Sequence, residues 1–275
     1  MKPAPFDYVR PDSLREVHAV LASEGADARI LAGGQSLLAM LSMRLTRPKV
    51  VVDIMRLSGI GDIRVDGNDI RVPCGVRQAQ LMAWPDLQKR QPLIAAALPW
   101  VGHAQTRSRG TVCGSIAQAD PSAELPLVLV TLGGSVELSS RRKRRTVPAA
   151  EFFIGAMSTA RQDDELIEAV SFPIVRAGTG TAFREFGRRH GDFAIVACAA
   201  IADGQGTRLG IGGVADRPTM RDFGALESKA LDEALDLFAW ELEARDDLHA
   251  TARYRRDLVR RMGRETIEEA RRCRA

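Results

Sequence analysis

Residues 32–36, Ala-Gly-Gly-Gln-Ser, are of types that suit the binding of an anion. They lie between an apolar stretch that predicts a strand, residues 29–31, and a leucine-rich stretch that predicts a helix, residues 37–45. Glycine adopts positive φ at little steric cost and allows a backbone to approach a ligand closely. The first turn of a helix adds unpaired N–H groups and a partial positive charge. This segment therefore predicts a phosphate-binding turn.

A second segment of similar composition, Thr-Val-Cys-Gly-Ser, occupies residues 111–115 and is followed by Gln118 and Asp120. Two such turns could hold the linked phosphates of one ligand from both sides. Neither segment has the G-x-G-x-x-G pattern after a strand or the G-x-x-x-x-G-K-[ST] pattern. The sequence therefore disfavours a Rossmann or a P-loop nucleotide site.

The composition is that of a globular protein, with 275 residues, 45% hydrophobic and 27% charged. The net charge of +4 comes largely from residues 141–145, Arg-Arg-Lys-Arg-Arg, which we interpret as a solvated hairpin loop because no aromatic residues accompany it to stack on a nucleic acid. The four cysteines are widely spaced, which disfavours an iron–sulfur or zinc site in this chain. With no leader-like start and no apolar stretch of about 18 residues, we expect a cytoplasmic protein without a membrane span.

Hydrophobic periodicity predicts the elements that position the two segments. In the first half we expect a helix over 12–24 capped by Asp12 or Ser13, a strand at 30–32, a helix with Leu37, Leu38, Leu41 and Leu45 facing inward, and a strand at 50–54. They are followed by a hairpin over 63–72, helices at 76–83 and 93–98, a helix over 121–132 capped by Asp120, and strands at 135–138 and 166–172. Residues 176–180 resemble a domain boundary, after which three strands and helices at about 225–245 and 249–262 predict an α+β domain.

With these motifs in place, the chain resembles the FAD-binding medium subunit of the molybdenum hydroxylases, the family of carbon monoxide dehydrogenase and xanthine dehydrogenase. The resemblance runs nearly end to end. The motifs that carry it are residues 32–36, 44–48, 52–54, 102–103, 107–115, 119–126 and 191–195.

The resemblance implies an α+β, vanillyl-alcohol-oxidase-like (PCMH-type) FAD-binding fold in residues 1–175, with subdomains of about 1–57 and 58–175. A smaller C-terminal α+β domain, like that of the carbon monoxide dehydrogenase flavoprotein, is expected over 178–275. In this family the two glycine segments hold the FAD pyrophosphate. The implied cofactor contacts are Ala32, Gly33, Gly34, Gln35, Ser36, Thr111, Val112, Cys113, Gly114, Ser115, Gln118, Asp120, Glu124, Arg184 and Phe193.

The chain departs from the family pattern at several of these positions. Cys113 stands where glycine is usual, and Ser115 stands where asparagine is frequent. If the backbone at Cys113 needs positive φ, a cysteine there would cost about 1–2 kcal/mol. Phe193 stands where many members of the family have tyrosine. The family commonly has a basic residue near positions 184–185, and in this chain only Arg184 matches it.

The function implied by the resemblance is electron transfer. A large subunit with a molybdenum-pterin cofactor would hydroxylate the substrate, and a small subunit with [2Fe–2S] clusters would deliver electrons to the FAD on this chain, in a dimer of heterotrimers. This chain would pass the electrons to an external acceptor, and it needs no catalytic or metal-ligating residues of its own. Two alternatives stay open: a self-contained flavin oxidase of the same fold, and a non-enzymatic assembly module without FAD.

Overall fold

A small parallel sheet near the N-terminus carries the first glycine turn. The structure is a computed structural model that describes residues 2–274. Its first elements are β1 (Asp7–Val9), α1 (Leu14–Glu24), β2 (Ala28–Leu31), α2 (Leu37–Ser42) and β3 (Val50–Asp53), with the strand order β1-β3-β2. Ser13 is the N-cap of α1, because its hydroxyl accepts the backbone N–H of Glu16 at 3.3 Å. The predicted helix, its cap and both flanking strands are confirmed.

An antiparallel sheet of five strands, in the order β4-β5-β10-β6-β7, forms the larger part of the N-terminal region. The predicted hairpin over 63–72 is confirmed by β4 and β5, which pair Val65 with Ile70. Several short helices cover the sheet, and together they enclose a continuous apolar core. The elements are β4 (Arg64–Asp66), β5 (Asp69–Pro73), α3 (Gln78–Met82), α4 (Leu87–Arg90), α5 (Pro92–Ala97), α6 (Ala104–Arg109), α7 (Val112–Gln118), α8 (Glu124–Leu132), β6 (Ser135–Ser139), β7 (Arg144–Pro148), α9 (Ala149–Phe152), β8 (Phe153–Gly155), β9 (Ser158–Thr159) and β10 (Leu166–Pro173), with 3₁₀ turns at Gly25–Asp27 and Leu98–Trp100.

The C-terminal region has its own sheet and its own apolar core. Its elements are β11 (Gly180–Phe186), β12 (Val196–Asp203), β13 (Gly206–Gly212), β14 (Thr219–Gly224), α10 (Ser228–Glu241) and α11 (Ala252–Arg272). The antiparallel sheet runs β11-β12-β13-β14, and α11 packs against β11, β12 and β13. Helix α8 of the N-terminal region packs on β12 and β13, where Gly210 leaves room for Thr131. This contact joins the two regions.

Four predictions about the elements are wrong in detail. Helix α8 begins at Glu124 rather than at residue 121, because Asp120 and Pro121 form a separate turn in which the Asp120 carboxylate accepts the N–H of Ser122 at 2.9 Å. The C-terminal sheet has a fourth strand, β14, and α11 extends to Arg272. In α2 only Leu41 is buried, whereas Leu38 is 51% exposed and Leu45, which follows the helix, is 68% exposed.

Candidate functional site

The first glycine turn presents backbone donors without protein acceptors. Gly34 has φ of +74°, a conformation that glycine adopts without strain. The carbonyl oxygens of Gly34 and Ser36 accept the N–H groups of Leu38 and Met40, each at 3.1 Å, and thereby start α2. Within residues 2–274, no backbone N–H of residues 33–36 donates to another protein group. An anion is the ligand that such a row of donors suits.

Arginine side chains complete a cleft above this turn. The cleft has a volume of about 290 Å³ and is lined by Gly33, Gly34 and Leu38 together with Arg10, Arg77 and Arg109. Arg10 lies 3.7 Å from the Asp53 carboxylate, while Arg77 and Arg109 have no acidic partner among the residues that the structure describes. Guanidinium groups bind phosphate oxygens strongly. The donor set of the cleft therefore fits the pyrophosphate of a dinucleotide.

The second segment lies directly beside the first. A side chain at Gly33 would overlap the carbonyl oxygen of Arg109 and the Cα of Gly110, so only glycine allows the two backbones to approach this closely. Residues before the second segment are held by α3, since the Gln78 N–H donates to the Gly110 carbonyl at 2.8 Å. This close approach of Gly33 to Arg109 and Gly110 agrees with the expectation that the two glycine-containing segments come together.

The second segment is not an open glycine loop, because it forms the first turn of α7. Thr111 is the N-cap, and its hydroxyl accepts the N–H of Gly114 at 3.0 Å. The N–H of Val112 donates to the Val76 carbonyl at 3.0 Å, and the N–H of Ser115 donates to the Thr111 carbonyl at 3.2 Å. Of the segment's N–H groups, those of Thr111 and Cys113 have no acceptor within residues 2–274.

The cysteine that departs from the family pattern causes no backbone strain. Cys113 lies inside α7 with negative φ, and its side chain is 3% exposed in the apolar core. Its Sγ lies 3.5 Å from the Val72 carbonyl oxygen. Burial raises the pKa of the Cys113 thiol well above its ordinary value, so the thiol is protonated and unreactive. Cys113 and Val112 can contact a ligand only through their backbone.

Three polar residues lie at the end of α7 and in the segment that leads to α8. The Gln118 amide lies 3.8 Å from the Met40 sulfur and 3.5 Å from the Met157 sulfur, which links α7 to α2. Burial raises the pKa of Asp120. Burial, with a smaller contribution from the nearby Asp120 carboxylate, raises the pKa of Glu124 to about 7. These two carboxyl groups are therefore less charged than solvated ones at neutral pH.

The two site residues expected from the C-terminal domain lie in different surroundings. Arg184 on β11 pairs with Glu265 at 3.1 Å and Glu269 at 2.9 Å, so its guanidinium is turned toward α11. It lines a second cleft of about 460 Å³, whose other walls include Trp100 and Met262. Phe193 is 68% exposed in the loop between β11 and β12.

That loop contacts the N-terminal region through two neighbouring residues. A side chain at Gly191 would overlap the His103 ring, and the His190 ring lies 5.1 Å from that of Trp100. The Arg255 guanidinium holds the far end of the loop, donating to the Ile195 carbonyl at 2.7 Å and to the Gly213 carbonyl. Phe193 is thus presented to solvent by a loop that is anchored on both sides.

Sequence reasoning missed several residues of the site. Arg10 and Arg77 gave no signal, because single arginines in unremarkable segments carry no pattern, and Arg109 was noted only as part of a motif. Glu185 was also missed. Burial raises its pKa to about 9, with Glu124 adding to the shift, and its Oε2 is buried without a hydrogen-bond partner in the described chain.

Two family models match the chain and together cover most of it. The FAD binding domain in molybdopterin dehydrogenase matches residues 4–175, and the CO dehydrogenase flavoprotein C-terminal domain matches residues 181–270. The chain belongs to the FAD-binding medium subunits of the molybdenum hydroxylases. This medium subunit is an oxidoreductase flavoprotein, and the predicted α+β FAD-binding fold with an added C-terminal domain is confirmed.

Relatives of the medium subunit match it over nearly their full length. It is 36% identical to the 6-hydroxypseudooxynicotine dehydrogenase complex subunit alpha of Paenarthrobacter nicotinovorans, covering 98% of this chain and 96% of that one. It is 31% identical to the carbon monoxide dehydrogenase medium chain of Hydrogenophaga pseudoflava, over 98% of both chains.

Solved structures agree with this assignment. A carbon monoxide dehydrogenase structure from Hydrogenophaga pseudoflava superposes with a TM-score of 0.95 at 30% identity over 100% of both chains. Quinoline 2-oxidoreductase from Pseudomonas putida 86 superposes with a TM-score of 0.91 at 33% identity over 99% of both chains.

Two kinds of feature are absent from the described residues. No helix within residues 2–274 has the length and apolarity to cross a bilayer. Nowhere in the same range do three histidine, cysteine, aspartate or glutamate side chains come together so that they could hold a metal ion.

Proposed function

We propose that this chain is the FAD-carrying electron-transfer subunit of a cytoplasmic molybdenum hydroxylase. The observation that carries the proposal is the cleft above the first glycine turn, where Gly33 and Gly34, whose backbone N–H groups have no protein acceptor in the described chain, line the same space as Arg77 and Arg109. When bound, FAD supplies the capacity to accept electrons singly and to pass them on. The chain's own residues bind and orient the dinucleotide.

The pyrophosphate would be held chiefly by the first segment. Ala32, Gly33, Gly34, Gln35 and Ser36 contribute backbone donors, and the arginines supply charge. In the second segment Thr111, Val112, Cys113, Gly114 and Ser115 form the adjoining wall, with the N–H groups of Thr111 and Cys113 as its available donors.

Polar side chains beyond the second segment would contact the flavin or the adenosine half. Gln118 ends α7, Asp120 lies in the turn after it, and Glu124 begins α8. A protonated carboxyl group can donate a hydrogen bond, which suits Glu124 to a ring nitrogen or a hydroxyl group. Phe193 would lie beside the flavin, and Arg184, which also pairs with Glu265 and Glu269 of α11, would be a further contact to the cofactor.

The remaining parts of the reaction would belong to other chains. A large subunit with a molybdenum-pterin cofactor would oxidise the substrate with water, and a small subunit with [2Fe–2S] clusters would deliver the electrons, in a dimer of heterotrimers. An external acceptor would then take them from this chain. Support for this arrangement is the close likeness to carbon monoxide dehydrogenase medium chains.

The proposal is tested by purifying the chain alone and recording its visible spectrum. We expect bound flavin, with absorption bands at about 370 and 450 nm, and no turnover of substrate without partner subunits. A colourless protein that binds no added FAD would favour the assembly module. Substrate oxidation by the isolated chain would favour the self-contained oxidase.

A further inference from the structure

The cleft above the first glycine turn lies at one edge of the small parallel sheet. Strands β1, β2 and β3 run in the same direction, so their carboxyl ends meet at that edge, where parallel sheets usually bind their ligands. Arg10 directly follows β1, Gly33 lies just after β2, and Asp53 is the last residue of β3, the central strand. All three residues line the cleft.

Asp53 is the acidic side chain in a cleft that is otherwise basic or uncharged. The other residues that line the cleft within the described chain are arginines, glycines and apolar residues. A carboxylate repels a phosphate group, and the Asp53 side chain is only 13% exposed, so water screens this repulsion poorly. The ligand should therefore place an uncharged, hydrogen-bond-donating group beside Asp53 and its phosphates beside Gly33 and Arg109.

Three neighbours hold the Asp53 carboxylate in a fixed orientation. One oxygen, Oδ1, accepts the backbone N–H of Met55 at 2.9 Å, and the other, Oδ2, accepts the Tyr8 hydroxyl. The Arg10 Nε lies 3.7 Å from Oδ2 and partly balances its charge. Each carboxylate oxygen can accept more than one hydrogen bond. Asp53 is thus an oriented acceptor that retains capacity for a donor from the ligand.

A flavin dinucleotide carries hydroxyl donors on both sides of its pyrophosphate, on the ribose of adenosine and on the ribityl chain of the flavin. Phe193, which is proposed to lie beside the flavin, belongs to the C-terminal region, in the loop after β11. Asp53 belongs to the N-terminal sheet. Because the pyrophosphate separates the two halves of the ligand, this sheet suits the adenosine half.

We propose that Asp53 binds the ribose hydroxyl groups of the adenosine half of FAD. This inference rests on the proposed function, and it adds the residue that recognises adenosine. A site built to bind a hydroxyl group rejects an analogue that lacks it, because the buried acceptor is then left unpaired. Asp53 would accordingly select a ligand with an intact ribose.

The test uses the full-length chain freed of its flavin. Displacement of FAD, followed by flavin fluorescence, measures the affinity of ADP, 2′-deoxy-ADP and 3′-deoxy-ADP, none of which contains a ribityl chain. The variant Asp53→Ala removes the carboxylate. Asp27→Ala is its matched control, because Asp27 lies before β2 at the opposite edge of the same sheet and pairs there with Lys49.

We expect the parent to bind ADP at least about tenfold more tightly than one of the two deoxy analogues. Asp53→Ala should bind ADP more weakly by a similar factor and should bind ADP and that analogue equally. Asp27→Ala should keep the affinities of the parent. A ligand preference that survives in Asp53→Ala would overturn the inference, because Asp53 would then act only by holding Arg10.

Two further outcomes would also overturn it. One is equal affinity of the parent for ADP and both deoxy analogues, a measurement that needs no variant to fold. The other is a loss of FAD affinity in Asp53→Ala without a loss of ADP affinity, which would place the ribityl chain at Asp53. A parent chain that binds neither FAD nor ADP would contradict the proposed function, whereas one that binds FAD but ignores the ribose hydroxyls would contradict this inference alone.

Discussion

The two glycine-containing segments have similar compositions but different structures. Residues 33–36 form an open turn whose backbone N–H groups have no protein acceptors in the described chain, while residues 111–115 form a capped helix start whose N–H groups are mostly used. The first segment therefore leaves its backbone donors available, whereas the second uses most of its donors within the protein. Similar composition does not distinguish these roles, because what matters is where each N–H group points.

The charge around the two segments differs in the same way. Arg10, Arg77 and Arg109 surround the first segment, whereas the chain after the second carries the buried carboxyl groups of Glu124 and, across the junction, Glu185. A dinucleotide has a doubly negative pyrophosphate and a neutral ring system. The cationic end of the site suits the former, and the end with protonated carboxyl groups suits the latter.

The largest expected effect is that of Gly33→Asp. The new side chain would overlap the Arg109 carbonyl and place a carboxylate beside the pyrophosphate. We expect complete loss of bound FAD, measured as the ratio of absorbance at about 450 nm to that at about 280 nm. Gly61→Asp is the control, because a Cβ at Gly61 has no neighbour within 4 Å. Full FAD content in Gly33→Asp would contradict the placement of the first segment at the FAD pyrophosphate.

A smaller effect on FAD binding is expected when the arginines that line the cleft are neutralised. Arg77→Gln and Arg109→Gln each remove a charged donor to phosphate, which corresponds to about a 10- to 100-fold loss of FAD affinity. Titration of the apo-protein with FAD, followed by flavin fluorescence, measures this loss. Arg141→Gln and Arg142→Gln, in the exposed hairpin loop, should bind FAD as the parent does. Equal effects at both places would show that general charge, not the cleft, governs affinity.

The folding stability of the protein should depend on pH because of Glu185. Its folded-state pKa of about 9 exceeds its ordinary value of 4.5, so the folded chain keeps a proton that the unfolded chain releases. Stability of the parent therefore falls as the pH rises from about 4.5 to about 9. Glu185→Gln removes this loss, and we expect its Tm at pH 8 to exceed that of the parent by about 2–4 °C, corresponding to about 1 kcal/mol. The two should converge near pH 5, and a difference independent of pH would contradict the assignment.

Removal of the α7 cap should affect stability more than FAD binding. Thr111→Val deletes the hydroxyl that accepts the Gly114 N–H and should cost about 1 kcal/mol of unfolding free energy. Thr111→Ser keeps the acceptor and serves as the control in denaturant titrations. If Thr111→Val instead abolished FAD binding at unchanged stability, the second segment would be the principal binding turn.

The smallest expected effect concerns the cysteines. Burial holds the Cys113 thiol protonated, whereas Cys273 is exposed. Alkylation with iodoacetamide at pH 8, analysed by peptide mass spectrometry, should therefore modify Cys273 and leave Cys113 intact in the folded protein. Rapid labelling of Cys113 would mean that α7 opens in solution.

Local sequence signals predicted much of the fold. The Ser13 cap, the hairpin around Gly67 and the strand–turn–helix unit at 32–36 follow from interactions between residues that are near in sequence, so their patterns are visible there. The same reasoning failed for Leu38 and Leu45, because periodicity identifies an apolar face without saying what covers it. It also failed for Arg77 and Glu185, which join the site only through the packing of distant elements.

By itself, the sequence determined the family, the order of elements and the open glycine turn, since each depends on short segments whose residue types restrict the backbone directly. Only the tertiary structure decided that Gly33 packs against Arg109, that Arg184 turns toward α11, and that the Glu185 carboxyl group is buried near Glu124 of α8. Those outcomes depend on which chain segments meet in space. Burial and neighbouring charges then set the pKa of each titratable side chain.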